Sequence, residues 1–138
     1  MGIMTPEQKA AITDYLHSCR NRRFSLGEWD CAMFAADVVR CLTGEEVALA
    51  EEMRGKYSHD YLQKSPAPMR DLPELCGLVP CPKPSDGAIW WAPWPRASGS
   101  LGIVWQAQLL APGKRGLVAV KLDISTLKFY TPCPKPLQ

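Results

Sequence analysis

Hydrophobic periodicity changes character once along this chain, at Val79, and that change constrains the fold more than any other feature. Before it, apolar residues recur at helical spacing: Ile12, Tyr15, Leu16 and Cys19, then Phe34, Ala35, Val38, Val39 and Leu42. After it, proline becomes dense and short β-prone runs appear at 88–92, 101–106, 107–111, 117–122 and 127–131, bounded by Gly, Pro or Asp. Neighbouring strands with short links favour antiparallel pairing. Helices first and strands second predict an α+β fold, with N-terminal helices packed on a C-terminal antiparallel β-sheet. The 138 residues suit one domain. Its helical half spans about 5–77, its β half about 86–131, and a proline-rich C-terminal arm 131–138.

Local chemistry marks the helix ends. Thr5 reads as the cap of the first helix, Pro6 fits its first turn, and Gln8 completes a capping box. Arg20, Asn21, Arg22 and Arg23 close that helix with positive charge, as a solvated terminus or a site for an anionic partner. Glu45 and Glu46 predict the start of a third helix bearing Val47, Ala50 and Met53, broken at Arg54-Gly55-Lys56-Tyr57. A short helix over 58–64, a breaker at 65–68 and a final turn or two from Met69 to Cys76, stopped at Gly77, complete this half. Its two histidines are His17, beside the first apolar stripe, and His59.

Chemistry is suggested in one stretch, Arg23 to Gly44. There Gly27 turns the chain, Trp29 follows, Asp30 caps a helix, and Cys31 takes its first position. Gly44 is a natural stop. Cys31 shares the apolar side of Phe34, Val38 and Leu42, so it fits a buried packing residue. On the residues alone packing is the preferred reading, with a nucleophile as the alternative, because the positive end of a helix dipole lowers a thiol pKa.

A net charge of +2, with no long basic cluster, argues against a nucleic-acid binder. No apolar run approaches a membrane span, and no signal peptide is visible, so a protein made and folded in a cytoplasm is expected. In that setting a disulfide framework is not expected of the six cysteines. Cys19, Cys31 and Cys41 fall at apolar helical positions. Cys81 and Cys133 occupy a near-repeat, Val-Pro-Cys-Pro-Lys-Pro at 79–84 and Thr-Pro-Cys-Pro-Lys-Pro at 131–136. Cys-Pro pairs occur in iron–sulfur ligand segments, making Cys76, Cys81 and Cys133 a candidate metal set. The spacing is poor and a fourth ligand is not evident, so the preferred reading is two polyproline-like surface segments, with no cofactor. Among the aromatics, Trp90 and Trp91 suit core or binding roles, whereas Trp94, between two prolines and near Arg96, suits a protein interface. Pro134 and Pro136 in the C-terminal arm suit docking along a neighbour.

The aromatic-Asp-Cys opening of an apolar helix resembles the nucleophile segment of NlpC-type cell-wall peptidases, in the papain-like clan. The longer pattern, from Arg23-Phe24 through Gly27, Asp30-Cys31, Phe34-Ala35-Ala36-Asp37, Thr43-Gly44 and Arg54-Gly55-Lys56-Tyr57, is similar to a phage tail-associated branch of that superfamily. The likeness continues in Asp86-Gly87, Leu101-Gly102-Ile103 and Gly116-Leu117-Val118, and covers most of residues 20–122. It implies a papain-like arrangement with the Cys31 helix packed on the sheet. It also implies a base histidine just before the Gly-Ile of the second strand, where this chain reads Gly99-Ser100-Leu101-Gly102-Ile103. The orienting polar residue would fall near Gln108-Leu109-Leu110, where Gln108 alone is polar. A hydrolase of this type needs a base within reach of the sulfur.

The expectation is therefore a structural subunit of a bacteriophage tail tip or baseplate, resident in the virion. It would be built on a peptidoglycan-peptidase-like fold with a degenerate site, and its partners would be other tail-tip proteins and peptidoglycan. Two alternatives stand beside it: an active cysteine peptidoglycan endopeptidase using Cys31, and a tail protein with a cysteine-ligated metal.

Overall fold

The computed structural model describes residues 4–25, 29–47, 71–82, 84–94 and 99–132. Helix α1 (Pro6–Cys19) opens with the expected capping box: the Thr5 hydroxyl accepts the Gln8 N–H, and the Gln8 side chain accepts the Thr5 N–H. The Gln8 amide also donates to the Leu42 carbonyl at 2.8 Å, tying the start of α1 to the end of α2 (Cys31–Thr43). Further along, Tyr15 of α1 meets Asp37 of α2, so the two helices run antiparallel. Helix α2 ends at Gly44, whose φ of 77° is left-handed and carries no Cβ cost in glycine.

Two helical expectations need correction. Helix α1 stops at Cys19, leaving Arg22 and Arg23 beyond it. No helix begins at Glu45: the Thr43 hydroxyl takes the Glu45 N–H at 3.2 Å, and Glu46 turns back to pair with Arg40 at 3.1 Å. The remainder of that expected helix, the 54–57 break, the 58–64 helix and His59 lie outside the described residues. The last short helix, α3 (Leu72–Leu75), ends before Gly77 as expected.

Six strands follow: β1 (Leu78–Pro80), β2 (Ile89–Ala92), β3 (Ser100–Trp105), β4 (Gln108–Gly113), β5 (Gly116–Val120) and β6 (Lys128–Pro132). They form one antiparallel sheet in the order β1-β6-β2-β3-β4-β5, and with the helices this makes an α+β fold. Five strands lie on the expected runs. The sixth, β1, corrects the reading of the near-repeats as surface polyproline. Val79 pairs with Thr131 and Leu78 with Pro132, so the leading residues of the two repeats are strand neighbours. The sheet thus starts before residue 86 and continues to Pro132, into the segment read as an arm. Pro80 is tolerated because β1 is an edge strand.

Side-chain alternation divides the two tryptophans of β2 between the sheet's faces. Trp91 enters the main core with Leu101, Ile103 and Tyr130, beneath Phe34 and Val38 of α2. Trp90 packs on the opposite face with Ala88, Ala92, Val104 and Ala111.

The β3–β4 turn contains neither glycine nor asparagine, yet Gln106 and Ala107 have φ of 50° and 63°. Asp86 holds this turn by accepting the Gln106 N–H at 2.8 Å. A two-residue turn with both φ positive strongly prefers Asn-Gly. Ala107→Gly should therefore raise stability by about 0.5–1 kcal/mol in urea unfolding, relief of strain exceeding the greater freedom of the unfolded chain. A destabilised variant would rule out strain at this position.

Candidate functional site: the Cys31 helix start

Ser25 and Trp29 exchange two backbone hydrogen bonds, of 2.8 and 3.0 Å, and this closure delivers Trp29, Asp30 and Cys31 to the start of α2. The Asp30 carboxylate accepts the Met33 N–H at 2.9 Å and is 1% exposed, which makes it the expected cap. Asp30→Ala should cost about 1–2 kcal/mol in chemical denaturation, the upper end reflecting burial of the orphaned amide. A cost within a few tenths would mean the cap is dispensable.

Cys31 occupies the first helical residue and faces the sheet at Leu101. The N–H groups of Leu101, Ala32 and Cys31 itself favour a thiolate, as the helix position predicts. Burial opposes them and wins, the Asp30 carboxylate adding to it, and the thiol pKa is pushed up to about 11. The dipole effect expected at this position is present but outweighed, and the partly exposed Cys31 thiol is held above its ordinary pKa. Alkylation of Cys31 by iodoacetamide, followed peptide by peptide in mass spectrometry, should be far slower at pH 8 than for a free thiol and should accelerate toward pH 11. The proton linkage has the matching sign. The folded state holds this proton more tightly, so the contribution to stability is full below about pH 9 and is lost between about pH 9 and 11. Rapid alkylation at pH 7 would overturn the assignment.

The other expected members of a hydrolytic site do not gather here. The stretch from Gly99 to Ile103, in which the resemblance implies a base histidine, holds none, and its Ser100 begins β3 and donates its hydroxyl to the Trp94 carbonyl at 2.5 Å. Gln108 is exposed and pairs with Trp105, four residues along β3 from Leu101, or ~13 Å away along the strand. His17 is exposed on α1, off the buried stripe of Ile12, Leu16 and Cys19. Beside the site lies an apolar cavity of about 40 Å³ between Ala32, Ala36 and Val39 of α2, Pro73 and Cys76, and Leu101. It has room for a water molecule but offers almost no polar partner for one.

Sequence reasoning missed a buried polar cluster behind the site. The Tyr15 hydroxyl donates to Asp37 at 2.7 Å and accepts the Trp29 indole N–H at 3.2 Å. Burial, then the Asp37 charge and hydrogen bond, raise the Tyr15 pKa, so the phenol stays protonated. The cluster fixes the residue that precedes Asp30 and Cys31 against both helices. Its one sequence signal was an aspartate embedded in the apolar run from Phe34 to Val39.

Among the candidate metal ligands, Cys76 is half-buried and Cys81 is buried, its N–H donating to the Phe129 carbonyl at 2.8 Å. Cys133 lies outside the described residues, among which no group of three or more His, Cys, Asp or Glu could hold a metal ion. Trp94 is 47% exposed; Arg96, Pro134 and Pro136 lie outside the described residues. Among the described residues no helix is long and apolar enough to cross a membrane.

A family model described as a domain of unknown function (DUF6950) matches residues 4–64, a stretch holding α1, Asp30, Cys31 and α2 and stopping before β1. No curated protein and no solved structure matches the chain.

Proposed function

We propose that this chain is a structural subunit of a bacteriophage tail tip, built on a papain-like, NlpC-type peptidase fold whose hydrolytic site is degenerate. The observation that carries the degenerate site is the chemistry at Cys31. The cysteine retains the helix-start position against the sheet, but its thiol is held above its ordinary pKa. The stretch in which the resemblance implies the base, Gly99 to Ile103, holds no histidine, and its Ser100 hydroxyl donates to the Trp94 carbonyl. Loss of a general base removes roughly 10²–10⁴-fold in rate, which leaves a scaffold in place of a working hydrolase. The phage assignment rests on the sequence resemblance, and the exposed Trp94 supplies an aromatic anchor of the kind that interfaces use.

Two measurements test the reading together. Purified peptidoglycan incubated with the protein should yield no new muropeptides, and particles carrying Cys31→Ala should assemble and infect normally. Tail particles should retain the protein through density-gradient purification. Muropeptide release by wild type that disappears in Cys31→Ala would restore the peptidase, and absence from purified particles would remove the tail-tip role.

A further inference from the structure

Two basic runs far apart in sequence meet at one end of the sheet. The first is Arg20 to Arg23, after α1; the second is Lys114-Arg115 in the β4–β5 turn, while Lys121 lies beyond the far end of β5. They join at Gly116, where an added Cβ would strike the Arg20 carbonyl and approach the Asn21 Cα at 3.1 Å. The Leu117 N–H donates to that same carbonyl at 3.3 Å. Together these two runs hold five of the chain's 16 basic residues, Lys121 at the far end of β5 adds a sixth, and residues 20–23 and 107–122 contain none of its 14 acidic ones. Arg22 is partly engaged, lying 5.6 Å over the Trp29 ring.

The patch adjoins an open edge. Strand β5 ends the sheet, and among the described residues no strand pairs with its outer side. The two-residue turn pairs Gly113 with Gly116, so Gly116, Val118 and Val120 bond inward to β4. Leu117, Ala119 and Lys121 then point their backbone groups outward. The Leu117 N–H is taken by Arg20. Among the described residues this leaves the Leu117 carbonyl, both groups of Ala119 and the Lys121 N–H, beside an apolar run in which Val118 is 42% exposed.

We propose that the outer edge of β5 and the cations flanking it form a docking strip for an extended acidic segment of a partner protein, added to the sheet as a seventh strand. An open edge supplies main-chain hydrogen bonds and short apolar contacts, the currency of strand addition. The cations select the charge of the partner. They also disfavour a second copy of this chain, because antiparallel pairing of β5 with itself about Val118 would bring Arg115 of one copy opposite Lys121 of the other. A polyanion would be drawn to the cations but has no use for the row of backbone donors and acceptors. The inference is independent of the tail-tip reading and of Cys31.

The probe is an acetylated octapeptide, Glu-Glu-Val-Thr-Val-Thr-Glu-Glu, titrated against the full chain by fluorescence anisotropy and by amide hydrogen exchange. Binding should protect the Ala119 and Lys121 amides at least tenfold. It should fall about tenfold or more in Ala119→Pro, which removes an outward donor without touching a β4 bond. The double variant Lys114→Glu with Arg115→Glu should weaken binding similarly, as should replacing the peptide's Glu residues with Lys. Unfolding curves of both variants matching wild type keep a folding defect from imitating the result. No binding at millimolar peptide, or binding without protection at Ala119, overturns the proposal. So does a single-stranded oligonucleotide of equal charge that binds as tightly and is insensitive to Ala119→Pro. A concentration-dependent dimer abolished by Ala119→Pro would give the strip to a second copy instead.

Discussion

Phe34→Ala is expected to destabilise the fold by about 3–5 kcal/mol, a large share of an ordinary total stability of about 5–15 kcal/mol. Phe34 is fully buried, and it is the contact through which three elements lock. Its ring stacks on Tyr15 of α1 with centroids 6.0 Å apart, and meets Trp29 edge-on at the same distance. Alanine would remove the apolar ring from the centre of the main core and leave a cavity that two helices and a sheet, each fixed by other contacts, cannot collapse to fill. It would also loosen the Tyr15–Asp37–Trp29 hydrogen bonds, which depend on the Tyr15 ring staying in place. Phe34→Leu, which keeps most of the volume, should cost under half as much. Equilibrium urea unfolding of both variants checks the difference. A Phe34→Ala cost below about 1 kcal/mol would mean that this core relaxes freely.

The parts of this fold that are legible in the sequence are those fixed by chemistry within a few residues. Thr5 and Gln8 close their box across one turn, Asp30 caps across three residues, and Gly44 ends α2 through its own φ. The strands of the second half were legible for a similar reason, since turn residues bounded most of them. What escaped depends on partners distant in the chain. Strand β1 is three residues long and contains a proline; it exists because β6, some fifty residues later, pairs with it. The turn at Gln106-Ala107 carries no turn residue, and the neighbouring strands impose it at the expense of local preference.

The candidate site divides in the same way. The placement of Asp30 and Cys31 at the helix start is local and was readable. The behaviour of the thiol is tertiary: the amides near the sulfur act as the helix position predicts, and burial beneath the sheet overrides them. Asp37 is likewise an ordinary helical aspartate until Tyr15 and Trp29 arrive from outside its helix. The same holds for the basic end of the sheet, where the Arg20–Arg23 run, legible only as a helix terminus or anion site, joins Lys114-Arg115 once the Arg20 carbonyl receives the Leu117 N–H.

Gly102→Ala should be nearly as damaging as the loss of Phe34, by a different route. Gly102 lies directly opposite Trp90 in the β2–β3 pair, and the indole fills the space that a side chain would occupy. A Cβ there would collide with the Trp90 ring and with the Leu110 carbonyl of β4. The second collision matters more, because it is with backbone and rotamer changes cannot relieve it. Moving Trp90 aside would also break the bond from its indole N–H to the Ile103 carbonyl, 3.1 Å long and buried. Overpacking of about 1–3 kcal/mol and a buried polar group left unpaired at a similar cost together predict a loss of about 2–6 kcal/mol. A double-mutant cycle separates the two collisions. Trp90→Leu combined with Gly102→Ala should recover part of the loss, through the indole, but not the share due to Leu110. Full recovery would place the whole clash on Trp90, and a Gly102→Ala cost under about 1 kcal/mol would show that β3 and β4 can separate at this point without penalty.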